Sequence, residues 1–337
     1  MIKLLFIIIF IMSNNIFANE VNIFSSRHYE SDIKLYNNFT NQTGIKVNVV
    51  SGNAKALEKR IIEEREKCVA DILIAADAGR LGSAEKKGIF KKVYSEVLNE
   101  KIPYNFRTEY WYGIAKRARI IFYNPKLVKE SDLEKLSYLD LSDSKWKNKL
   151  VIRQSNNIYN QSLVAYMIEN YGKAKTKEWV EGIVKNMARK PQGNDRAQIL
   201  AVAAQEAEIA VANTYYYGLM MSGRKGKEQM EAAKRVKPFF PNQFENGTHI
   251  NISGAGILKY SNNEKNAIKL LEFLLTDEAQ KHMVENTFEY PMSENVEPNK
   301  IIKQMGLNFK QDLKTNVSSY SRFHQIAYRM MLEAGWN

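Results

Sequence analysis

The chain has 337 residues, of which 45% are hydrophobic and 26% are charged. These values predict an ordinary globular protein with two domains or two lobes. The formal net charge is +12, which on its own would suit a nucleic-acid-binding protein. The basic residues are mostly interspersed with acidic ones, as in the stretch 55–67, so the charge predicts solvated helix faces and excludes a nucleic-acid partner.

The N-terminus predicts an export signal. Lys3 precedes a short apolar run at 4–12, and Ala18 offers a cleavage site, so residues 1–18 are predicted to be a cleaved signal peptide. The run is too short for a stable membrane span, although an uncleaved signal anchor remains the alternative. The single cysteine, Cys68, cannot form an internal disulfide, and no cysteine follows the signal to carry a lipid anchor. These features favour the periplasm of a Gram-negative cell.

Short apolar segments alternate with amphipathic segments along the chain. In the first part the pattern predicts strands and helices at 21–25 (strand), 31–41 (helix), 45–50 (strand), 54–67 (helix) and 70–76 (strand). In the second part it predicts strands at 149–153, 208–212 and 254–258, and helices at 162–171, from 214 onward and at 264–275. This alternation predicts parallel sheets covered by helices in two α/β lobes. The predicted crossovers between the lobes lie near 114–123 and 236–241.

Tyrosines follow three of the predicted strands, at the sheet edge where ligands bind in open α/β folds. Tyr29 follows the first strand, Tyr159 follows the first strand of the second part, and a triplet that begins at Tyr215 follows the next strand. The chain has 18 tyrosines, so a single tyrosine at such a junction would be a packing residue. Three junctions that carry tyrosine favour a shared binding site.

Such a site would suit a hard trivalent cation. A phenol has an ordinary pKa near 10, so holding it as phenolate at pH 7 costs roughly 4 kcal/mol, and holding four costs roughly 16 kcal/mol. A strong Lewis acid offsets that cost, as bound metals do when they deprotonate their ligands. Phenolate is a hard anionic oxygen donor, which favours Fe(III). If the tyrosines stay neutral, the same pattern favours stacking on a sugar or an aromatic solute.

Other chemistries lack a supporting motif. The four histidines do not occur at a zinc-ligand spacing, and the sequence contains neither a P-loop nor a G-x-S-x-G motif. Asp77 follows the strand at 70–76 and is predicted to cap the next helix, although it could also reach the cleft. We therefore predict that the protein is not an enzyme, and a periplasmic enzyme that reuses a two-lobed cleft is the weaker alternative.

Beyond residue 18, nearly the whole chain resembles a known family. The matching stretches are Ser26-Arg27-His28-Tyr29, Ala76-Asp77-Ala78-Gly79, Lys116-Arg117-Ala118-Arg119, Tyr159-Asn160-Gln161-Ser162, Asn213-Thr214-Tyr215-Tyr216-Tyr217-Gly218, Phe239-Phe240-Pro241-Asn242-Gln243 and Gly247-Thr248-His249-Ile250-Asn251-Ile252-Ser253-Gly254-Ala255-Gly256. In combination they resemble the bacterial periplasmic ferric-binding proteins, in particular the cyanobacterial-type FutA branch.

The resemblance implies a transferrin-like, class II periplasmic-binding fold, in which two α/β lobes are joined by hinge strands and hold a metal between them. We predict an N-lobe at 19–117 and 242–292 and a C-lobe at 118–241 and 293–337.

Iron ligands are implied by the same resemblance. Tyr29 would ligate from one lobe, and Tyr159, Tyr215 and Tyr216 would ligate from the other. His28 matches a position that ligates iron in some members of the family, so it is a candidate fifth ligand.

Two arginines, Arg27 and Arg119, match positions beside the ligands. Four phenolates around Fe(III) carry a net charge of −1, and we predict that Arg119 supplies the compensating cation. The implied function is the iron-binding subunit of an ABC importer, with Fe(III) as its transported ligand and an inner-membrane permease as its partner. The protein is predicted to be monomeric. A binding protein for another small solute in the same fold is the alternative.

Overall fold

The computed structural model of the protein describes residues 19–27, 29–306 and 308–337. The predicted signal peptide at 1–18 and the candidate ligand His28 lie outside the described residues. In the part of the chain that is described, no helix has both the length and the apolar character that a membrane crossing requires.

Eight strands form one mixed sheet over the described residues. They are β1 (Glu20–Ser25), β2 (Lys46–Ser51), β3 (Ile72–Ala76), β4 (Tyr112–Tyr123), β5 (Leu150–Val151), β6 (Ile209–Asn213), β7 (Lys237–Phe239) and β8 (Ile250–Ile257). Their order is β2-β1-β3-β8-β4-β6-β5, and β7 pairs with β4. The prediction of parallel sheets holds for the pairs of β1 with β2 and β3 and of β5 with β6, but it is wrong for β4 and β8, whose pairs are all antiparallel.

Thirteen α-helices accompany this sheet in the same described ranges. They are α1 (Ser31–Thr43), α2 (Ala54–Glu64), α3 (Ala78–Lys86), α4 (Glu96–Lys101), α5 (Ile158–Tyr171), α6 (Lys173–Asn186), α7 (Asp195–Ala203), α8 (Thr214–Met221), α9 (Lys227–Ala233), α10 (Glu264–Phe273), α11 (Asp277–Thr287), α12 (Lys300–Met305) and α13 (Tyr320–Glu333). The predicted helices that begin near 31, 54, 214 and 264 are confirmed.

Helix α5 begins earlier than the hydrophobic pattern predicted, at Ile158 instead of position 162. The side-chain oxygen of Asn157 accepts a hydrogen bond from the backbone N–H of Tyr159 at 3.1 Å, which caps the helix. Hydrophobic periodicity does not reveal this start, because the first turn is mostly polar. Tyr159 therefore lies in the first turn of a helix and not in the preceding loop.

Strand β4 belongs to both halves of the sheet. Its residues 112–118 pair with β8, whereas residues 119–123 pair with β6. The change of partner falls between Ala118 and Arg119, within the predicted crossover at 114–123. Because side chains alternate along a strand, the arginines at 117 and 119 lie on the same face, one on each side of this change.

Asp77 connects elements from both halves of the sheet and caps α3, as predicted. Its Oδ1 accepts hydrogen bonds from the backbone N–H of Gly79 at 2.8 Å and from the hydroxyl of Ser162 at 2.7 Å. Its Oδ2 accepts a hydrogen bond from the side-chain amide of Asn251 at 2.9 Å. The backbone φ of Asp77 is +109°, a conformation that costs on the order of 1–3 kcal/mol in a residue other than glycine. These three hydrogen bonds offset that cost.

Candidate metal centre

Three of the predicted ligands form a compact group of phenols. The hydroxyl of Tyr215 donates a hydrogen bond to the hydroxyl of Tyr159 at 3.2 Å. The ring of Tyr215 stacks on that of Tyr216, with centroids 4.3 Å apart. The third member of the triplet points elsewhere, because the ring of Tyr217 stacks on Phe122 at 5.3 Å.

Helix starts position these phenols. Tyr159 lies in the first turn of α5, and Tyr215 and Tyr216 lie in the first turn of α8. Tyr29 lies just before α1. The N-terminus of a helix carries partial positive charge, so these positions favour negative charge on a phenolate.

Burial disfavours the charged form of three of these phenols. Burial raises the pKa of Tyr29 and of Tyr215 well above the ordinary value, and the neighbouring Tyr159 adds to the rise in both. Tyr29 also raises the pKa of Tyr215 in addition to burial, so the fourth predicted ligand belongs to the same cluster. For Tyr216, burial again raises the pKa and Asp195 acts in the same direction. Deprotonation of Tyr29, Tyr215 and Tyr216 therefore needs a strong Lewis acid. These three residues and Tyr159 are called the tyrosine cluster below.

Arg27 lies beside Tyr29, and two carboxylates hold it there. The centre of its guanidinium lies 4.6 Å from the centroid of the Tyr29 ring. Its Nε donates to Asp32 at 3.1 Å, and its Nη1 donates to Glu289 at 2.6 Å. This contact places a fixed positive charge next to the predicted ligand.

Arg117, which was not among the predicted site residues, lies over a second predicted ligand. The centre of its guanidinium lies 5.3 Å from the centroid of the Tyr159 ring. Its Nη1 donates to Glu289 at 3.2 Å and to Ser253 at 3.0 Å. Its Nη2 donates to the backbone carbonyl of Ile252 at 2.8 Å. Arg117 is thus a buried cation between the tyrosine cluster and Glu289.

Arg119, the cation predicted from the sequence, is held by a polar group at the starts of α5, α7 and α8. Its Nη1 donates to Asn213 at 3.1 Å and to Asp195 at 3.3 Å, and its Nη2 donates to Asn160 at 2.5 Å. Oδ2 of Asp195 also accepts a hydrogen bond from the backbone N–H of Asn213 at 3.1 Å. Arg119 therefore connects the helix starts that carry three of the four tyrosines.

A further arginine, Arg153, also lies over a tyrosine. Its guanidinium centre is 5.7 Å from the ring centroid of Tyr159, and its Nη1 lies 3.7 Å from Oδ1 of Asp195. Among the described residues, the guanidiniums over the ring of Tyr159 are those of Arg117 and Arg153, and not that of Arg119.

The donor set of the candidate centre is phenolic. Within the described ranges, no group of three or more histidine, cysteine, aspartate and glutamate side chains is arranged to hold a metal ion. Phenolate oxygens are hard donors, and hard donors suit hard cations. The cluster can therefore hold a trivalent cation whose charge balances several phenolates.

Comparison with known proteins identifies the family of the chain. The family profile described as bacterial extracellular solute-binding protein matches residues 67–312. The chain is 43% identical over 319 residues to iron uptake protein A1 of Synechocystis sp., with 94% of this chain and 87% of the relative covered.

Solved structures show the same fold. The structure of Trichodesmium FutA in complex with iron and citrate matches with a TM-score of 0.90 and 45% identity, over 94% of this chain and 100% of that one. The ferric binding protein from Campylobacter jejuni matches with a TM-score of 0.87 and 37% identity, again over 94% and 100%. The predicted two-lobed α/β, class II periplasmic-binding fold is confirmed. The chain belongs to the bacterial extracellular solute-binding protein family.

Proposed function

We propose that the protein is the Fe(III)-binding subunit of an ABC-type iron importer. The observation that carries the proposal is the tyrosine cluster, in which the hydroxyls of Tyr215 and Tyr159 lie 3.2 Å apart. Four phenolates need a strong, hard Lewis acid, and Fe(III) meets that need. The names of the relatives, an iron uptake protein and a ferric binding protein, support the same ion.

The proposed ligands are the four phenolate oxygens of the tyrosine cluster. The family resemblance adds His28 as a fifth donor, and that part of the proposal rests on the sequence alone. Arg27 and Arg119 remain the proposed neighbours of the ligands. The contact of Arg27 with the ring of Tyr29 and the hydrogen bond from Arg119 to Asn160 support this role.

The ligands would come from two lobes that close around the ion. The proposed N-lobe comprises 19–117 and 242–292, and the proposed C-lobe comprises 118–241 and 293–337. The change of strand partners within β4, between 118 and 119, lies one residue from the proposed boundary. Iron would favour the closed arrangement because only that arrangement supplies ligands from both lobes. The closed surface would then be recognised by an inner-membrane permease.

The biological setting follows from the same proposal. The protein would act in the periplasm of a Gram-negative cell, after cleavage of the signal peptide at 1–18. It would act as a monomer and would carry iron without catalysing a reaction on it. The family description, an extracellular solute-binding protein, supports this setting.

Titration of the purified protein with an Fe(III) chelate tests the proposal. We expect an orange to red colour that saturates at one iron per chain, because phenolate-to-Fe(III) charge transfer absorbs visible light. Elemental analysis of the desalted protein gives the stoichiometry. Zn(II), which prefers nitrogen and sulfur ligands, serves as the control ion and should not compete. A protein that stays colourless and retains no iron at pH 7 to 8 would refute the proposal.

A further inference from the structure

Glu289 lies between two arginines next to the tyrosine cluster. It is 0% exposed, its Oε2 accepts from Arg27 at 2.6 Å, and its Oε1 accepts from Arg117 at 3.2 Å and from Ser253 at 2.8 Å. Burial alone would raise the pKa of Glu289, but Arg27 and Arg117 hold it below its ordinary value. Glu289 is therefore a charged carboxylate in a fully buried position.

Arg117 contacts Glu289 on one side and the tyrosine cluster on the other. Its guanidinium lies over the ring of Tyr159, and its buried Nε has no hydrogen-bond partner among the described residues. Arg27 repeats the arrangement, because its guanidinium lies over the ring of Tyr29 and its buried Nη2 also lacks a hydrogen-bond partner within the described part of the chain. Glu289 thus forms ion pairs with two arginines, and each arginine lies over the ring of a different tyrosine.

We propose, on the basis of the iron-binding function proposed above, that Arg117 is the positioning residue whose charge compensates the iron-loaded tyrosine cluster. We further propose that Glu289 is the counter-ion on which Arg117 depends when the cluster is empty. In the empty protein Glu289 supplies the negative charge next to Arg117, through the ion pair between its Oε1 and Nη1 of Arg117 at 3.2 Å. Iron loading places a second negative charge, the iron–phenolate group, on the other side of the same guanidinium.

Two substitutions then have opposite effects on the stabilisation that iron provides. Arg117→Gln removes the cation that faces the iron–phenolate group, so the loaded protein loses more stability than the empty protein. Glu289→Gln removes the counter-ion of a buried cation, and an uncompensated buried charge is strongly destabilising. In that variant the iron–phenolate group replaces part of the lost negative charge. The empty protein therefore loses more stability than the loaded protein.

The experiment measures the melting temperature of each variant with and without bound iron. We expect the iron-dependent rise in melting temperature to be smaller than in the parent for Arg117→Gln and larger for Glu289→Gln. Competition with a chelator should show an Fe(III) affinity for Arg117→Gln that is roughly tenfold lower, the lower end of the loss seen when a residue that supports a metal ligand is removed.

Arg107→Gln is the matched control. Arg107 also lies over a tyrosine ring, that of Tyr104 at 5.9 Å, and also donates to backbone carbonyls. Tyr104 is not part of the tyrosine cluster, so the iron-dependent rise should equal that of the parent. Arg117→Lys keeps the charge and should give a rise between those of the parent and Arg117→Gln. If Arg117→Gln does not fold, Arg117→Lys is measured in its place.

The outcomes separate this inference from the proposed function. If the parent gains no stability from iron, the proposed function fails. If the parent gains stability but both substitutions at Arg117 leave the iron-dependent rise unchanged, Arg117 has only a structural role and the inference is overturned. If the iron-dependent rise in melting temperature is reduced equally in Glu289→Gln and Arg117→Gln, the proposed counter-ion role of Glu289 is also overturned.

Discussion

Replacing Tyr215 with phenylalanine is expected to lower Fe(III) affinity at least about a hundredfold, the upper end of the loss seen for residues that only support a metal ligand. The substitution removes one proposed phenolate donor. It should leave the fold intact, because the hydroxyl of Tyr215 donates its hydrogen bond to another cluster tyrosine, Tyr159, and the ring can still stack on Tyr216. Chelator competition followed by visible absorption measures the loss, and circular dichroism checks the fold.

Tyr217→Phe is the matched control within the same triplet. The ring of Tyr217 stacks on Phe122 and not on the tyrosine cluster, so its iron affinity and colour should equal those of the parent. Tyr216→Phe should behave like Tyr215→Phe. If Tyr215→Phe and Tyr216→Phe both bind iron as the parent does, the triplet is a packing feature and the proposed ligand set is wrong.

Iron binding is expected to release about four protons per ion, because each phenol that becomes a ligand must lose its proton. Burial raises the pKa of Tyr29, Tyr215 and Tyr216, so these phenols are protonated in the empty protein at pH 7. A lower pH favours the protonated phenols and therefore favours iron release, whereas a higher pH favours binding. The protein is titrated in weakly buffered solution with an Fe(III) chelate whose own proton content is known. The change in pH then gives the number of protons released per iron.

The variant Tyr215→Phe provides the comparison for that count. With one proposed ligand removed, binding at high iron concentration should release about one proton fewer than in the parent. An affinity that does not change between pH 8 and pH 5, or binding without proton release, would mean that neutral tyrosines hold the ligand. That result would favour a neutral solute that stacks on the rings.

The position of the tyrosine cluster could be predicted because it depends on short local segments, the junctions between strands and helices. Strand–helix alternation identifies the edges of the sheet, and Tyr29, Tyr159 and Tyr215 follow three strands at those edges. The chemistry of phenol then restricts the ligand. Residue spacing alone did not distinguish Tyr217 from the proposed ligands Tyr215 and Tyr216. That distinction depends on the packing of the Tyr217 ring against Phe122.

The mixed character of the sheet could not be predicted from the same patterns. Hydrophobic periodicity identifies strands but not their direction, and β4 and β8 run antiparallel to all of their partners. Their pairing joins segments more than a hundred residues apart, such as Arg117 and Asn251. The start of α5 was missed for a different reason, since it depends on the Asn157 cap and not on apolar residues.

The arginines at the site could be predicted only in part from the sequence. Positions 117 and 119 share one face of β4, so strand alternation could have suggested Arg117 together with Arg119. Glu289 stands between Phe288 and Tyr290 in an apolar segment, which is typical of a buried carboxylate that is paired. Its partners could not be identified, because Arg117 and Arg27 are 172 and 262 residues away along the chain.

Anomalous diffraction at the iron absorption edge, from crystals of the iron-loaded protein, is the most direct test of iron ligation by the four tyrosines. We expect one strong peak within bonding distance of the phenol oxygens of Tyr29, Tyr159, Tyr215 and Tyr216. The same crystals, exposed to low doses, would give the oxidation state from the position of the edge, which is predicted to be that of Fe(III). A peak elsewhere on the protein, or no peak between these four tyrosines, would mean that the tyrosine cluster is not the iron site.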